Sequence, residues 1–340
     1  MKVIIPLAGK GSRMRPHTHT KAKPLLHIAG RPMMSYILDE VMKLKPTGIY
    51  FATGHLKEQV EAYINKNYDF NAVFIEQKVK DGTAGAINMF KDVADDEPIL
   101  IIFVDTLFDC DMSILTDLRE DGILWAKEVE DYQRFGVMVT DKNGILTKIV
   151  EKPTEPVSKL ANIGLYYIKN PKVMFECIKE LYDKNMKTKG EYYLTDAFQM
   201  MVEKGQKLKV VEVEGWYDCG KPETTLETSR VMLQKREDAL KKKKLDPITG
   251  GKNATIENSV IIPPCAIEEG VVVKDSIIGP YVSIASGTKI ERSVLADSMI
   301  SADAELKNVV CTHSIIGEGA KVERSPKKLN VGDHSELDLS

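Results

Sequence analysis

Apolar residues in the first 230 positions fall into two alternating kinds of run. Short continuous runs at Val3–Leu7, Gly48–Thr53, Val73–Glu76 and Ile99–Val104 predict strands buried on both faces. Between them, Pro32–Lys45 sets Met33, Met34, Ile37, Leu38, Val41 and Met42 at helical spacing, and Glu58–Asn67 and Ala84–Phe90 are also helix-like. Strands separated by helices predict an α/β fold: a doubly wound, mixed but mostly parallel sheet with both faces covered.

The pattern changes near Asn253. Apolar residues recur six apart at Ile261, Ile267 and Val273, then at Ile278, Ile284 and Ile290 after a five-residue step. Ile300 with Leu306, and Val310, Ile316 and Val322, continue it. A six-residue period fits neither an α-helix nor an ordinary sheet. It fits a left-handed parallel β-helix of hexapeptide units, three units to a triangular coil, and residues 253–325 supply about four coils. Residues 231–252 read as a helix and linker. The run VMLQKREDALKKKK ends in lysines that are read as a solvated helix end, and Asp246-Pro247 and Gly250-Gly251 follow. Residues 326–340 are a polar tail.

Composition narrows the class without naming a chemistry. Of 340 residues 43% are hydrophobic, enough for sizeable cores, so general disorder, collagen and small disulfide scaffolds are excluded. Lys and Arg number 47 against 50 Asp and Glu, a net charge of −3, which gives no electrostatic case for nucleic acid or an anionic membrane as partner. Five widely spaced cysteines, with no CxxC pair, suit a reducing compartment. MKVIIPLAGKGSRM lacks the long apolar stretch of a signal peptide, and a cytoplasmic location is expected.

The chemistry begins at Leu7-Ala8-Gly9-Lys10-Gly11-Ser12-Arg13, directly after the first strand. Glycines let backbone approach a ligand and aim N–H groups at phosphates, and Arg13 is a fork-shaped phosphate donor. Neither a P-loop nor a GxGxxG spacing is present, and a plain structural turn is the alternative. Lys23 before Pro24 is either a point charge for the same phosphates or a surface lysine. Asp105 closes ILIIFVD, where open α/β sheets place ligands, or it is a turn residue. His17 and His19 make a weak metal pair that no nearby Cys or acid completes, and they are read as loop residues.

The stretch from Leu7 to Met33 resembles the opening signature of the sugar nucleotidyltransferases, in which a GxG[ST]R loop precedes a KP lysine and a Gly-[KR]-Pro-Met helix start, here Gly30-Arg31-Pro32-Met33. The family's further motifs follow in order. Gln77 and Gly82 in IEQKVKDGTAGAI match base-contacting positions, with Thr83 beside them. Asp105 matches a metal ligand, Gly136 opens a Gly-Val pair, and Glu151-Lys152-Pro153 matches the sugar and sugar-phosphate segment. Asn162-Ile163-Gly164, then Glu191 in EYYLTD, match sugar contacts, and Asp218 in WYDCGKP matches the second metal ligand. The resemblance covers residues 1–230 and implies a Rossmann-like nucleotidyltransferase domain of the glucose-1-phosphate thymidylyltransferase type. One position departs: Val104 stands where the family has Gly, and a side chain there would crowd a phosphate or a metal.

This resemblance implies transfer of a nucleotidyl group from a nucleoside triphosphate, dTTP or UTP, to a sugar 1-phosphate such as glucose 1-phosphate, giving pyrophosphate. Leu7, Ala8, Gly9, Gly11, Ser12, Arg13, Gln77, Gly82 and Thr83 would bind nucleotide. Gly136, Glu151, Lys152, Asn162, Gly164 and Glu191 would bind sugar phosphate. Arg13, Lys23 and Lys152 would neutralise charge, and Asp105 and Asp218 would hold Mg²⁺. Three alternatives stay open: a mannose- or heptose-1-phosphate guanylyltransferase using GTP, a nucleotide-binding regulator impaired by Val104, and a bifunctional enzyme whose coils carry an acyltransferase around His313. The coils are expected to join chains into a homo-oligomer.

Overall fold

The computed structural model describes residues 1–93, 96–244 and 251–325. The Asp246-Pro247 signature, Gly250 and the tail 326–340 lie outside the described residues. The chain divides into two compact units, one made of Met1–Leu26 and Arg31–Thr228, the other of His27–Gly30 and the chain from Ser229 onward.

The first unit opens with β1 (Lys2–Pro6), α1 (Met33–Lys43), β2 (Gly48–Thr53), α2 (Lys57–Asn67), β3 (Ala72–Glu76), α3 (Thr83–Asn88) and β4 (Ile99–Ile102). The four strands are parallel in the order β3-β2-β1-β4. Chain order therefore reverses between β1 and β4, and a crevice opens beyond their C-terminal ends. Every side chain of β4 is buried, which is why its sequence is an unbroken apolar run. In α1 the buried Met33, Met34, Ile37, Leu38 and Val41 repeat every three or four residues, so a single stripe faces the core.

The second half of this unit holds β5 (Thr106–Asp109), β6 (Gly122–Glu128), β7 (Gly136–Thr140), β8 (Leu146–Glu151), β9 (Leu160–Ile168), α4 (Pro171–Asp183), α5 (Leu194–Glu203), β10 (Leu208–Glu212) and β11 (Gly215–Asp218). Long β9 runs antiparallel to β4 and to β6, and β7 and β8 pair beyond it. One continuous core takes in Ile4, Ile101, Leu124, Tyr166 and the inner faces of α3, α4 and α5. The strand expected through Val104 stops at Ile102. The Phe103 N–H turns to the Gly164 carbonyl, 2.9 Å away, and the chain leaves the sheet before Asp105.

The second unit takes most of α6 (Pro222–Lys242), which starts in the first. From Thr255 to Glu323 short strands stack in three parallel columns, the faces of a β-helix. Ile278, Ile284, Ile290, Leu295, Ile300 and Leu306 fill its core. The expected inward Val310 is instead 71% exposed, and Cys311 takes the inward place, stacked on Leu295. Inward steps from 273 to 311 are of six or five residues, and each of the five-residue steps, 273–278, 290–295, 295–300 and 306–311, turns a corner through one left-handed residue: Asp275, Arg292, Asp297 and Asn308. Asn and Asp adopt that conformation at low cost.

Candidate active site

Two neighbouring cavities open at the β1–β4 switch point. The larger, about 420 Å³, is lined by Leu7, Ala8, Gly9, Gly11, Ser12, Arg13, Lys23, Gln77, Gly82, Thr83, Asp105 and Glu191. The smaller, about 210 Å³, is lined by Gly136, Glu151, Lys152, Asn162, Gly164 and Asp218, and it shares Arg13, Thr83, Phe103 and Asp105 with the first. Every residue matched above to nucleotide, sugar phosphate, charge neutralisation or metal lines one or the other. Glu191, grouped there with the sugar contacts, borders the larger cavity, and only the larger.

Backbone shapes the larger cavity. A Cβ on Gly9 would meet nothing within 4 Å, so no protein neighbour forces that residue to be glycine. Gly82 is the opposite case. Its φ is +124°, and a Cβ would fall 2.2 Å from the Tyr192 carbonyl oxygen. The segments Asp81–Ala84 and Tyr192–Leu194 are laced together there: the Tyr192 N–H donates to Asp81 O, the Ala84 N–H to Tyr192 O and the Leu194 N–H to Thr83 Oγ1. Gln77, just past β3, is only 9% exposed, and its carboxamide has no hydrogen-bond partner among the described residues.

The two aspartates come from paired segments. Asp218 ends β11 opposite Thr106 of β5, and the Cys219 N–H donates to the Asp105 carbonyl at 3.0 Å. Their environments differ. The Asp105 carboxylate accepts no hydrogen bond and makes no ion pair among the described residues. Asp218 Oδ1 accepts from the Gly220 N–H at 2.8 Å, and Oδ2 from Thr224 Oγ1 at 3.2 Å. Arg134 Nη2 stands 3.7 Å from Asp218 Oδ2. Arg13 reaches the same place: a Cβ on Gly220 would lie 3.0 Å from its Nη2 and 2.8 Å from Asp218 Oδ1. Thr106 Oγ1 and the Trp216 indole N–H are buried in the smaller cavity's wall without a hydrogen-bond partner among the described residues. Val104, 6% exposed, lines the larger cavity.

On the far side of the smaller cavity Glu151 Oε2 accepts from Thr195 Oγ1 at 3.0 Å. Burial raises its pKa, against the opposing pull of Thr195 and Lys152. Lys152 sits at φ +45°, and its ammonium donates to the Tyr193 hydroxyl at 3.0 Å. Burial lowers its pKa, but the Tyr193 bond and the nearby Glu151 and Glu191 outweigh that and leave it raised. Asn162 sits at a register shift of β9, where its Oδ1 accepts from the Gly164 N–H and the Tyr166 hydroxyl. Cys219 is buried, which pushes its thiol up to about 12 and suits a turn residue rather than a nucleophile.

Two further basic residues at the cavities, Lys80 and Arg134, belong to none of the sequence motifs. Lys80 donates to the Ala8 carbonyl at 2.7 Å and lines the larger cavity; Arg134 lines the smaller. Nothing in the spacing of QKVKDG separates Lys80 from Lys78. The donor set at the aspartates is two carboxylates and a hydroxyl, all hard oxygens, with no sulfur or imidazole. No group of three or more His, Cys, Asp and Glu side chains able to hold a metal occurs among the described residues, His17 and His19 included. A cation here would thus take its remaining ligands from phosphate oxygens and water, the habit of Mg²⁺.

The nucleotidyl transferase family model matches residues 2–235, and a GlmU-like C-terminal hexapeptide model matches residues 247–336. The low-salt glycan biosynthesis nucleotidyltransferase of Haloferax volcanii is 30% identical across the whole of both chains. The bifunctional protein GlmU of Methanocaldococcus jannaschii is 32% identical over 94% of this chain and 78% of its own. A glucose-1-phosphate thymidylyltransferase of Streptomyces antibioticus is 26% identical over 100% of this chain and 99% of its own. Among solved structures, a UDP-glucose pyrophosphorylase complexed with UDP-glucose superposes with a TM-score of 0.61 at 26% identity, over 69% of this chain and 99% of that one. No helix among the described residues is long and apolar enough to cross a membrane. With the switch-point cavities, the aspartate pair and these matches together, the chain belongs to the nucleotidyl transferase family, as a sugar-1-phosphate nucleotidyltransferase that carries a hexapeptide β-helix domain.

Proposed function

We propose that this enzyme transfers a thymidylyl or uridylyl group from dTTP or UTP to a hexose 1-phosphate, glucose 1-phosphate foremost, with release of pyrophosphate. The observation that carries the reading is the Gln77 carboxamide, nine-tenths buried, unpartnered among the described residues and on the cavity wall with Gly82. A carboxamide offers a donor and an acceptor side by side, the complement of a pyrimidine edge. Relatives named for thymidylyl and uridylyl transfer to glucose 1-phosphate support the same base and sugar.

In this reading the sugar phosphate lies in the smaller cavity, with Glu151, Asn162 and Gly164 at the sugar, Glu191 reaching it from the rim of the larger cavity, and Lys152 at the phosphate. The nucleotide lies in the larger, with Leu7, Ala8, Gln77, Gly82 and Thr83 at the base and Gly9, Gly11, Ser12 and Arg13 at the phosphates. A phosphate oxygen of the sugar attacks the α-phosphorus in line, the bond to the bridging oxygen breaks, and pyrophosphate leaves with the electron pair. Lys23 and Lys152 offset the repulsion between the two anions. Arg13 meets the charge that develops on the leaving group. Asp105 and Asp218 would hold Mg²⁺, which supplies charge neutralisation on the triphosphate when bound.

The catalytic part is residues 1–230, followed by the helix and linker of 231–252. The coils of 253–325 join copies of the chain into a homo-oligomer, and free cysteines suit the cytoplasm. A nucleotide panel read by pyrophosphate release with glucose 1-phosphate tests the activity. Turnover with dTTP or UTP is expected. Turnover with GTP and mannose 1-phosphate alone would move the enzyme to the guanylyl class, and nucleotide binding without pyrophosphate release would make it a regulator.

A further inference from the structure

The chemistry above leaves Lys80 unused. Its side chain rises from the loop between Gln77 and Gly82, and its ammonium donates to the Ala8 carbonyl at 2.7 Å. Gly54 packs close to that oxygen, since a Cβ on it would come within 2.7 Å. Lys80, Ala8, Gln77 and Gly82 all line the larger cavity. No carboxylate pairs with Lys80 among the described residues. Burial, and then the like charge of Lys10, lower its pKa, so its surroundings do not balance its charge.

An ammonium has three N–H donors and no acceptor, and Ala8 engages one of them. Gln77 can turn either its donor or its acceptor toward a base, so alone it does not separate a keto edge from an amino edge. A donor-only group does. Uracil, thymine and guanine present a carbonyl oxygen where cytosine and adenine present an amino group. An amino group facing an ammonium sets donor against donor and leaves both desolvated.

We propose that Lys80 is a specificity-determining residue, holding a donor-only ammonium against the Ala8 carbonyl at the base edge of the cavity and so selecting keto bases over amino bases. This rests on the larger cavity being the nucleotide pocket of the proposed function.

The test is kcat/KM for UTP, dTTP, GTP, CTP and ATP with saturating glucose 1-phosphate, in the full-length wild type, Lys80→Gln and Lys80→Arg. Lys80 is exposed at the surface, and thermal melts check that the variants stay folded. The wild type should prefer UTP over CTP, and GTP over ATP. Lys80→Gln should cut those ratios by about tenfold or more, the size of one lost hydrogen bond to a charged donor, and Lys80→Arg, still donor-only, should keep them. A wild type that prefers CTP or ATP, or ratios unchanged in Lys80→Gln, overturns the proposal. Use of GTP alone would defeat the pyrimidine reading while the GTP-to-ATP ratio still judges Lys80. If no nucleotide turns over, calorimetric binding of the same five nucleotides gives the same ratios.

Discussion

The two aspartates make opposite demands on the fold, and that separates catalysis from stability. The Asp218 carboxylate is tied into its turn by Gly220 and Thr224, whereas the Asp105 carboxylate has no hydrogen bond or ion pair among the described residues. Asp105→Asn should therefore leave the melting temperature unchanged and lower kcat by at least ~100-fold, the loss seen when one preorganised electrostatic group is removed. Asp218→Ala should lose as much activity and also destabilise by about 1 kcal/mol for the lost turn bonds. Chelation by EDTA should stop pyrophosphate release, and added Mg²⁺ should restore it. Full activity in Asp105→Asn would remove that residue from the metal site. Glu151 gives a pH signature. Burial raises its folded pKa above the ordinary glutamate value. As pH rises through that window the unfolded chain ionises first, so the stability Glu151 lends is present at low pH and is lost by its raised pKa. Glu151→Gln should abolish this fall, seen as melting temperature against pH in the two proteins. The carriers of these effects were legible because each stands in a motif of fixed spacing. Lys80 and Arg134 were not, because only the folded loops bring them to the cavities.

Elements were legible in proportion to how local their cause is. The parallel half of the sheet was readable because β1, β2 and β4 are buried on both faces, which writes continuous apolar runs. The antiparallel half was not. β7 and β8 end half-buried or exposed, and the register that joins them to β9 is set by residues far away in sequence. In the coils the six-residue period was visible, but the five-residue steps carried Val310 outside and Cys311 in. That exchange completes an outward ladder of Val260, Ile277, Val294 and Val310, stacked in register and 55%, 42%, 41% and 71% exposed. Aliphatic side chains stacked this way favour burial against another surface. If the coils join copies of the chain, Ile277→Asp with Val294→Asp should shift sedimentation to the monomer without altering the melting temperature of the coils at dilution. An unchanged oligomer would acquit this face.

At the scale of the whole molecule, the core on the mixed sheet and the core inside the coils share no buried residue among the described residues. Separate cores predict separate unfolding transitions, provided that α6, which is common to both units, does not fuse them. Two perturbations assign the transitions. The first acts on the coils: Gly279 has φ +110°, and a Cβ there would lie 1.9 Å from the Ile262 oxygen. Gly279→Ala should therefore lower the coil transition by on the order of 1–3 kcal/mol or more and leave the other in place. The second acts on the cavities. In the proposed function UTP with Mg²⁺ would bind only the folded first unit, and at a hundred times its Kd it would add about 2.7 kcal/mol to that unit alone. In a domain near 230 residues this raises the melting temperature by roughly 5–10 °C. Differential scanning calorimetry should then show one endotherm that follows nucleotide and another that follows Gly279→Ala. A single endotherm moved by both would mean that the long helix couples the cores, and that the coils help set how firmly the nucleotide cavity is held.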